Sequence, residues 1–168
     1  MWYNSSVNIF EKVFKSLNKA RIQYVVVGGV AVNLHGYVRF TGDLDLLVLM
    51  EEENLKKMDK VMKSLGYSER LPVSLLALKD RRQVQKWLKE KNMRAYSFVP
   101  LKDNPLQIDI IVDESLRFPE FEKNKIVKRI SDTPIPVVSI QDLIKMKKKA
   151  GREQDFIDLE ALINLKSL

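Results

Sequence analysis

The chain has 168 residues, of which 45% are hydrophobic, and its 29 Lys and Arg exceed its 22 Asp and Glu, giving a formal net charge of +7. The absence of cysteine and the single histidine exclude disulfides, thiol nucleophiles and zinc sites built on Cys or several His, so any metal must be bound by oxygen. No apolar run is long enough to span a bilayer and the N-terminus lacks the pattern of a signal peptide, so we predict a cytoplasmic protein with no membrane partner.

The first half of the chain alternates predicted helices and strands. Apolar periodicity and turn residues predict, in order, a helix over 6–20 with Ser5 or Ser6 as its cap, a strand over 24–27, a short helix over 30–37, a strand over 43–50 and a helix over 51–65. The strand over 24–27 reads YVVV and ends at Gly28-Gly29, which indicates a buried strand entering a tight turn.

The second half ends in helices. The pattern predicts a helix over 80–91, paired strands over 95–99 and 105–112, a hairpin or edge pair from KIVKRI and PIPVVS, and helices over 139–150 and 153–167 separated at Gly151. Ser139 and Asp142 form a capping pair, and Pro134 and Pro136 predict a position at a sheet edge. We therefore expect an α/β (α+β) fold in one domain over 1–168, with a core at about 20–138 and a C-terminal helical part at about 139–168.

Two aspartates interrupt the apolar strand at 43–50. Residues two apart on a strand share a face, so Asp43 and Asp45 project together while the neighbouring leucines face the other side. Such carboxylates repel each other unless one is protonated or a cation lies between them. Magnesium fits because it prefers oxygen and takes only one or two protein carboxylates, with water and substrate phosphates completing its shell. The alternative is a strand-start cap and a solvated edge charge.

A phosphate site and a third carboxylate would complement this pair. Gly28 and Gly29 lie between a strand and a helix, where the backbone can approach phosphates and free N–H groups attract anions, although a diglycine is most often an ordinary turn. Asp109 lies on the polar face of the strand LQIDIIV and is our candidate for the third carboxylate, with Asp113 as second choice and an exposed structural position as the alternative.

These residues resemble a known family. A hydrophobic residue, Gly-Gly, 13 residues and then Asp-Leu-Asp-Leu, as in Val27 to Leu46, is similar to the motif of the DNA polymerase beta-type nucleotidyltransferase superfamily. The strings GGVAVNLHGYVRFTGDLDLLV (28–48) and DLIKMKKKAGREQDFIDLEAL (142–162) resemble more narrowly the small stand-alone nucleotidyltransferases related to abortive-infection toxins of the AbiEii type.

The resemblance implies both a fold and an activity. It implies a short mixed sheet flanked by helices, with Asp43, Asp45 and Asp109 binding Mg²⁺ or Mn²⁺ and acting as the catalytic triad. It also implies transfer of a nucleoside monophosphate from a nucleoside triphosphate to a hydroxyl or similar acceptor. That acceptor could be RNA such as a tRNA end, a protein or a small molecule.

Other polar residues near these motifs have both structural and functional interpretations. Arg39 and Thr41 are close enough to the aspartate pair to reach a triphosphate, yet a loop arginine is usually solvated. Lys147 falls inside the apolar stripe of its helix, so it must extend to water or meet an anion, and we expect phosphate contact as one outcome. His35 is more consistent with packing or a capping hydrogen bond than with catalysis.

Two further polar segments are weaker indicators of function. Arg152 and Asp155, one turn apart, predict a local ion pair that the family string suggests also braces the site. The stretch 79–94 has seven basic and two acidic residues around Trp87, which fits a polar helix with one aromatic anchor or an RNA-facing surface.

Three functional hypotheses follow. The first is an active magnesium-dependent nucleotidyltransferase. The second is a catalytically inactive module of the same fold that binds RNA or a partner protein. The third is the toxin component of a toxin–antitoxin pair, with an antitoxin as partner.

Overall fold

The computed structural model describes the backbone of residues 3–168 and the side chains from residue 9 onward. Its strands form one sheet: β1 (Tyr24–Val27), β2 (Asp43–Val48), β3 (Tyr67–Glu69), β4 (Ala95–Pro100), β5 (Gln107–Ile111), β6 (Ile126–Ile130) and β7 (Thr133–Val137). Its helices are α1 (Tyr3–Lys19), α2 (Gly28–Leu34), α3 (Glu52–Ser64), α4 (Arg81–Lys91), α5 (Phe118–Asn124), α6 (Ile140–Ala150) and α7 (Glu153–Lys166), with a 3₁₀ helix at Leu75–Lys79.

The seven strands are ordered β3-β4-β5-β2-β1-β7-β6. β2 and β5 pair in parallel, as do β1 and β7, whereas the remaining neighbours are antiparallel. The sheet is therefore mixed, and with helices flanking it the predicted α/β fold class is confirmed.

Alternation along β5 and along the first four residues of β2 separates an apolar face from a polar one. Leu44 and Leu46 of β2 and Ile108 and Ile110 of β5 are fully buried, whereas the residues between them are only partly buried or exposed. These side chains share one core with apolar residues of α1 and α3, including Phe14 and Leu55. The polar face of β2 and β5 therefore lies outside this core.

Two predicted element boundaries near the N-terminus were wrong. α1 begins at Tyr3, so Ser5 and Ser6 lie inside the helix and cannot cap it, while their side chains lie outside the described residues. α2 begins at Gly28 directly after β1, two residues earlier than predicted, so the diglycine forms the first turn of the helix. Gly28 takes φ +64°, which lets the chain change direction without a separate loop.

The hairpin β6–β7 formed as predicted, but its placement at the sheet edge was wrong for β7. β7 lies between β6 and β1, so of the two strands of this hairpin only β6 lies at an edge of the sheet. Pro134 and Pro136 are tolerated because the ladder between β1 and β7 consists of the single pair Val26 and Val137, beyond both prolines. Their missing N–H groups therefore cost no bond to β1.

The C-terminal helices form as predicted. The Asp142 N–H donates to Ser139 Oγ at 3.2 Å, which confirms the cap of α6, and Gly151 at φ +61° ends that helix. The division into one domain with a helical C-terminal part stays a prediction. No helix in the described residues is long and apolar enough to cross a membrane.

Three short elements escaped the sequence patterns: β3, the 3₁₀ helix and α5. The strand β3 has three residues, which is too few to show a period of two. α5 begins at Phe118-Pro119, where the proline could equally have signalled a turn.

Candidate active site

The register of β2 and β5 brings the three predicted carboxylates onto one face of the sheet. Asp45 lies directly opposite Asp109, and Asp43 lies opposite Gln107 two residues earlier on the same strand. Directly paired residues point to the same side of a sheet, with Cα atoms of adjacent strands about 5 Å apart. We call Asp43, Asp45 and Asp109 the acidic face.

Gly28 holds the backbone of α2 against this face. A Cβ at position 28 would collide with the Asp45 carboxylate, with Oδ2 as the nearest atom, and Val27 lies opposite Asp45 in the ladder. Only glycine satisfies both this contact and the positive φ. The sequence pattern placed Gly28 near the aspartates, and the structure shows that the Asp45 side chain occupies the space of the missing side chain.

Mutual repulsion marks the electrostatics of the acidic face. Burial, followed by the charges of Asp109 and Asp43, raises the pKa of Asp45 to about 7, and the more distant Lys147 and Arg152 only partly oppose this. Burial and Asp109 also raise the pKa of Asp43, with Arg70 opposing. The carboxylates of the acidic face therefore repel one another, and a bound cation would reduce this repulsion.

The donor set of the acidic face fits a hard divalent ion. It consists of carboxylate oxygens alone, the ligands that Mg²⁺ and Mn²⁺ take in proteins, and its repulsion is the kind that a cation relieves. Within the part of the chain that the structure describes, no three acidic or histidine side chains already converge on one metal position. Binding would therefore have to draw the carboxylates together, with water and phosphate completing the shell.

Gln107 is a residue of this face that the sequence argument did not select. Its Nε2 donates to Asp109 Oδ1 at 2.9 Å, which fixes one oxygen of that carboxylate and leaves the other available. The signal was present in the sequence, because Gln107 and Asp109 are two apart on one strand and share a face.

A group of charged residues that form ion pairs with one another lies beside the acidic face. We call these residues the ionic cluster: Arg39, Lys147, Arg152, Asp155 and Asp158. Lys147 Nζ lies 2.8 Å from Asp155 Oδ1 and 2.8 Å from Asp158 Oδ2, and its side chain is 5% exposed. The expected anion partner of Lys147 is thus supplied by α7. Phosphate contact by Lys147 stays a prediction, and it would compete with these two ion pairs.

Arg39 is part of the ionic cluster and is not the solvated loop residue of the alternative interpretation. Its Nε and Nη2 donate to the two oxygens of Asp158 at 2.7 and 2.8 Å, a bidentate pair in which Asp158 is fully buried. Sequence analysis did not select Asp158, since an aspartate on a C-terminal helix carries no motif until its partners are known.

Burial and pairing act against each other in the ionic cluster. Burial by itself would raise the pKa of Asp155, but hydrogen bonds from Arg152 and Lys147 outweigh it and lower that pKa to about 2. The predicted pair of Arg152 and Asp155 is confirmed, at 2.8 Å between Nε and Oδ2. The pKa of Asp158 is also lowered, since hydrogen bonds from Arg39 and Lys147 outweigh burial.

The ionic cluster is adjacent to the diglycine. A Cβ at Gly29 would lie 2.7 Å from Thr41 Oγ1 and 3.1 Å from Arg39 Nη2, so both predicted loop residues reach the start of α2. Thr41 Oγ1 also donates to the Asp43 backbone carbonyl at 3.3 Å. The structure therefore brings Gly28, Gly29, Arg39, Thr41 and the aspartates into one region.

Several other candidates have structural contacts instead. His35 Nε2 lies 2.8 Å from the Val138 carbonyl, and burial lowers its pKa, in agreement with the expected structural role. Asp113 follows the end of β5 and pairs with Lys149 at 3.2 Å. In the basic stretch, Trp87 packs against the core, as expected for a polar helix with one aromatic anchor.

Comparisons with known proteins agree with this geometry. The chain resembles the structure of the lincosamide antibiotic adenylyltransferase LnuA bound to lincomycin, with 15% identity, a TM-score of 0.62 and coverage of 96% of this chain and 98% of that one. It also resembles ANT(2")-Ia in complex with adenylyl-2"-tobramycin, with 13% identity, a TM-score of 0.59 and coverage of 96% and 89%. A third similar structure is an antigenic nucleotidyltransferase-like protein from Paracoccidioides brasiliensis, with 14% identity, a TM-score of 0.61 and coverage of 97% and 77%.

These similarities show the fold. No curated protein matches the sequence. The model of the family described as nucleotidyl transferase AbiEii toxin of a type IV toxin–antitoxin system matches residues 13–168. With that match over most of its length and the aspartates of β2 and β5 on one face, the chain belongs to the AbiEii nucleotidyltransferase family.

Proposed function

We propose that the chain is a divalent-metal-dependent nucleotidyltransferase that transfers a nucleoside monophosphate from a nucleoside triphosphate to an acceptor hydroxyl or similar group. The observation that carries this proposal is the pairing of Asp45 with Asp109 across β2 and β5, beside Asp43 and directly against Gly28. Membership of a nucleotidyltransferase family supports the reaction class.

Each residue of the acidic face has a proposed role. Asp43, Asp45 and Asp109 would hold Mg²⁺ or Mn²⁺, which when bound neutralises triphosphate charge and lowers the pKa of the acceptor hydroxyl. Asp109, oriented by Gln107, would align the acceptor hydroxyl and accept its proton. Gly28 and Gly29 allow phosphate oxygens to approach the backbone at the start of α2.

The ionic cluster positions basic groups beside this site. Arg39 reaches Gly29 while Asp158 fixes its guanidinium, and the charges of Lys147 and Arg152 oppose part of the rise in the pKa of Asp45. We propose that Arg39, Thr41 and Lys147 contribute to triphosphate binding. Some of the ion pairs that Asp155 and Asp158 make with Arg39 and Lys147 would then be replaced by contacts with the more highly charged triphosphate.

A transfer assay tests the proposed reaction. Purified protein is incubated with each labelled triphosphate, Mg²⁺ and candidate acceptors, including RNA and aminoglycoside or lincosamide antibiotics. We expect label transfer that falls at least about 100-fold in Asp43→Asn and Asp45→Asn, because each loses a charged ligand. Asp113→Asn is the matched control, since its carboxylate lies beyond β5 and pairs with Lys149. Transfer unaffected by Asp45→Asn would contradict the proposal.

A catalytically inactive binding module is the alternative, and metal dependence separates the two. Such a module would bind RNA or a partner protein equally well with EDTA, whereas the enzyme would bind triphosphate only with a divalent ion. The family description also supports an antitoxin partner, which co-expression tests directly: toxicity that depends on Asp45 and is relieved by a neighbouring gene product is the expected result.

A further inference from the structure

A single row of residues crosses four strands and extends the acidic face beyond β5. Glu69 of β3 pairs with Phe98 of β4, and the next residue, Arg70, donates its backbone N–H to the Ser97 carbonyl at 2.9 Å. Ser97 lies opposite Asp109, which lies opposite Asp45. Arg70, Ser97, Asp109 and Asp45 therefore project from the same side of the sheet.

Mostly small side chains occupy this side of β3 and β4, and Arg70 directly follows the end of β3. We call the following residues the shelf: Ser68, Arg70, Ala95, Ser97 and Val99. Alternation places all of them on the face of Asp109, and all are partly or fully exposed, whereas the intervening Tyr96 and Phe98 are buried in the core. The shelf is thus a solvent-accessible part of the sheet, adjoining the acidic face across β5.

Arg70 is the basic residue of the shelf, and its charge is not used inside the protein. It is exposed, and among the described side chains it takes part in no ion pair within 4.0 Å, unlike Arg39 and Arg152, which are held by aspartates. A free guanidinium at this place suits an anion supplied by a ligand.

The geometry of transfer assigns the shelf to the acceptor. The attacking oxygen and the departing pyrophosphate lie roughly in line through the α-phosphorus. Under the proposed function the triphosphate lies on the Gly28 and Gly29 side of the aspartates, so the attacking hydroxyl approaches from the opposite side, across Asp109. That side is the shelf.

Resting on the proposed function, we propose that the shelf is the acceptor subsite and that Arg70 selects acceptors carrying a phosphate group near the reacting hydroxyl. In the transfer, the acceptor oxygen bonds to the α-phosphorus and the bond from that phosphorus to the bridging oxygen of the β-phosphate breaks. Pyrophosphate leaves, and the hydroxyl proton passes to Asp109. Arg70 positions the acceptor through its phosphate and takes no part in bond making.

Binding of matched probes tests Arg70. The protein is saturated with a non-hydrolysable triphosphate analogue and Mg²⁺, then titrated with ribose 5-phosphate, ribose and a short oligoribonucleotide while arginine side-chain N–H signals are followed by NMR. We expect a phosphate-bearing probe, and not ribose, to shift the Arg70 signal, with affinity about tenfold weaker in Arg70→Gln. Arg117→Gln is the control, because Arg117 is also exposed but is the residue that precedes α5 and is not part of the shelf.

The two phosphate probes distinguish a small phosphorylated acceptor from a polynucleotide. Arg70-dependent binding of ribose 5-phosphate indicates the former, and such binding of the oligoribonucleotide alone indicates the latter. Equal affinity of both probes for wild type and Arg70→Gln would overturn the inference. If the analogue itself fails to bind wild type with Mg²⁺, the proposed function fails and this inference fails with it.

Ser97 provides a second test that does not change charge. Ser97→Phe suits a strand but fills the shelf opposite Asp109, so it should abolish probe binding while analogue binding remains. Probe binding retained in Ser97→Phe would place the acceptor elsewhere.

Discussion

The acidic face and the ionic cluster both bring aspartates together, but the environments of these carboxylates shift their pKa values in opposite directions. In the ionic cluster, pairing with Lys147 and Arg152 outweighs burial and lowers the pKa of Asp155 to about 2. On the acidic face, burial and neighbouring carboxylates raise the pKa of Asp45 to about 7. Aspartates paired with basic side chains stabilise the fold, whereas carboxylates that repel one another are the arrangement expected of the metal site that we propose.

Removal of one charge from each region should therefore have opposite effects on stability. Asp158→Asn leaves Arg39 without its buried counter-charge and leaves Lys147 paired with Asp155 alone, and we expect a loss of about 3 kcal/mol in the free energy of unfolding. The folded pKa of Asp45, about 7, lies above its unfolded value of about 4, so its contribution to stability is lost as the pH rises between these values and the loss is complete above about pH 7. Asp45→Asn should then be more stable than wild type at pH 8 in EDTA.

Urea denaturation of the two variants and wild type at pH 8 with EDTA measures this contrast. Destabilisation by Asp45→Asn comparable to that of Asp158→Asn would mean that the acidic face is a structural site like the ionic cluster. Added Mg²⁺ should stabilise wild type but not Asp45→Asn, which provides an internal control.

Acid should weaken the ionic cluster first. The folded pKa of Asp155 lies below its unfolded value, so its stabilising contribution is complete above the unfolded value of about 4 and is lost as the pH falls through about 2. We expect wild type to lose stability between about pH 4 and pH 2, with a shallower slope in Asp155→Asn.

Denaturant midpoints at intervals of pH check the acid prediction. Asp103→Asn is the control, because Asp103 is exposed in the turn between β4 and β5. An unchanged slope in Asp155→Asn would show that other carboxylates dominate acid unfolding.

The pH dependence of metal affinity should be the smallest of these effects, and its direction follows from the raised pKa of Asp45. A cation requires Asp45 to be ionised, so binding releases a proton and weakens as the pH falls below about 7. We expect Mn²⁺ affinity, followed by water proton relaxation, to fall about tenfold from pH 8 to pH 6. In Asp45→Asn the affinity should be low and nearly independent of pH, and a strong residual dependence would assign the titration to another group.

Local patterns predicted much of the fold. The period of two in DLDLLV and LQIDII placed Asp43, Asp45 and Asp109 on polar strand faces, because side-chain direction on a strand depends only on parity. Apolar periodicity also located α3 and α6, whose buried residues recur at the spacing of helical turns. The strand β3 and the true start of α2 were missed, since three residues show no period and a glycine inside a helix carries no helical signal.

The amino-acid sequence by itself determined which carboxylates face away from the core and that any metal must be bound by oxygen. Only the tertiary structure decided which partners those charges meet: Asp109 opposite Asp45, Gly28 against the Asp45 carboxylate, Arg39 and Lys147 on Asp158, and Arg70 in line with the triad. The physical reason is that side-chain direction is a local property of the backbone. The energy of a charge depends on neighbours that lie 64 residues away along the chain for Asp45 and Asp109, and 119 away for Arg39 and Asp158.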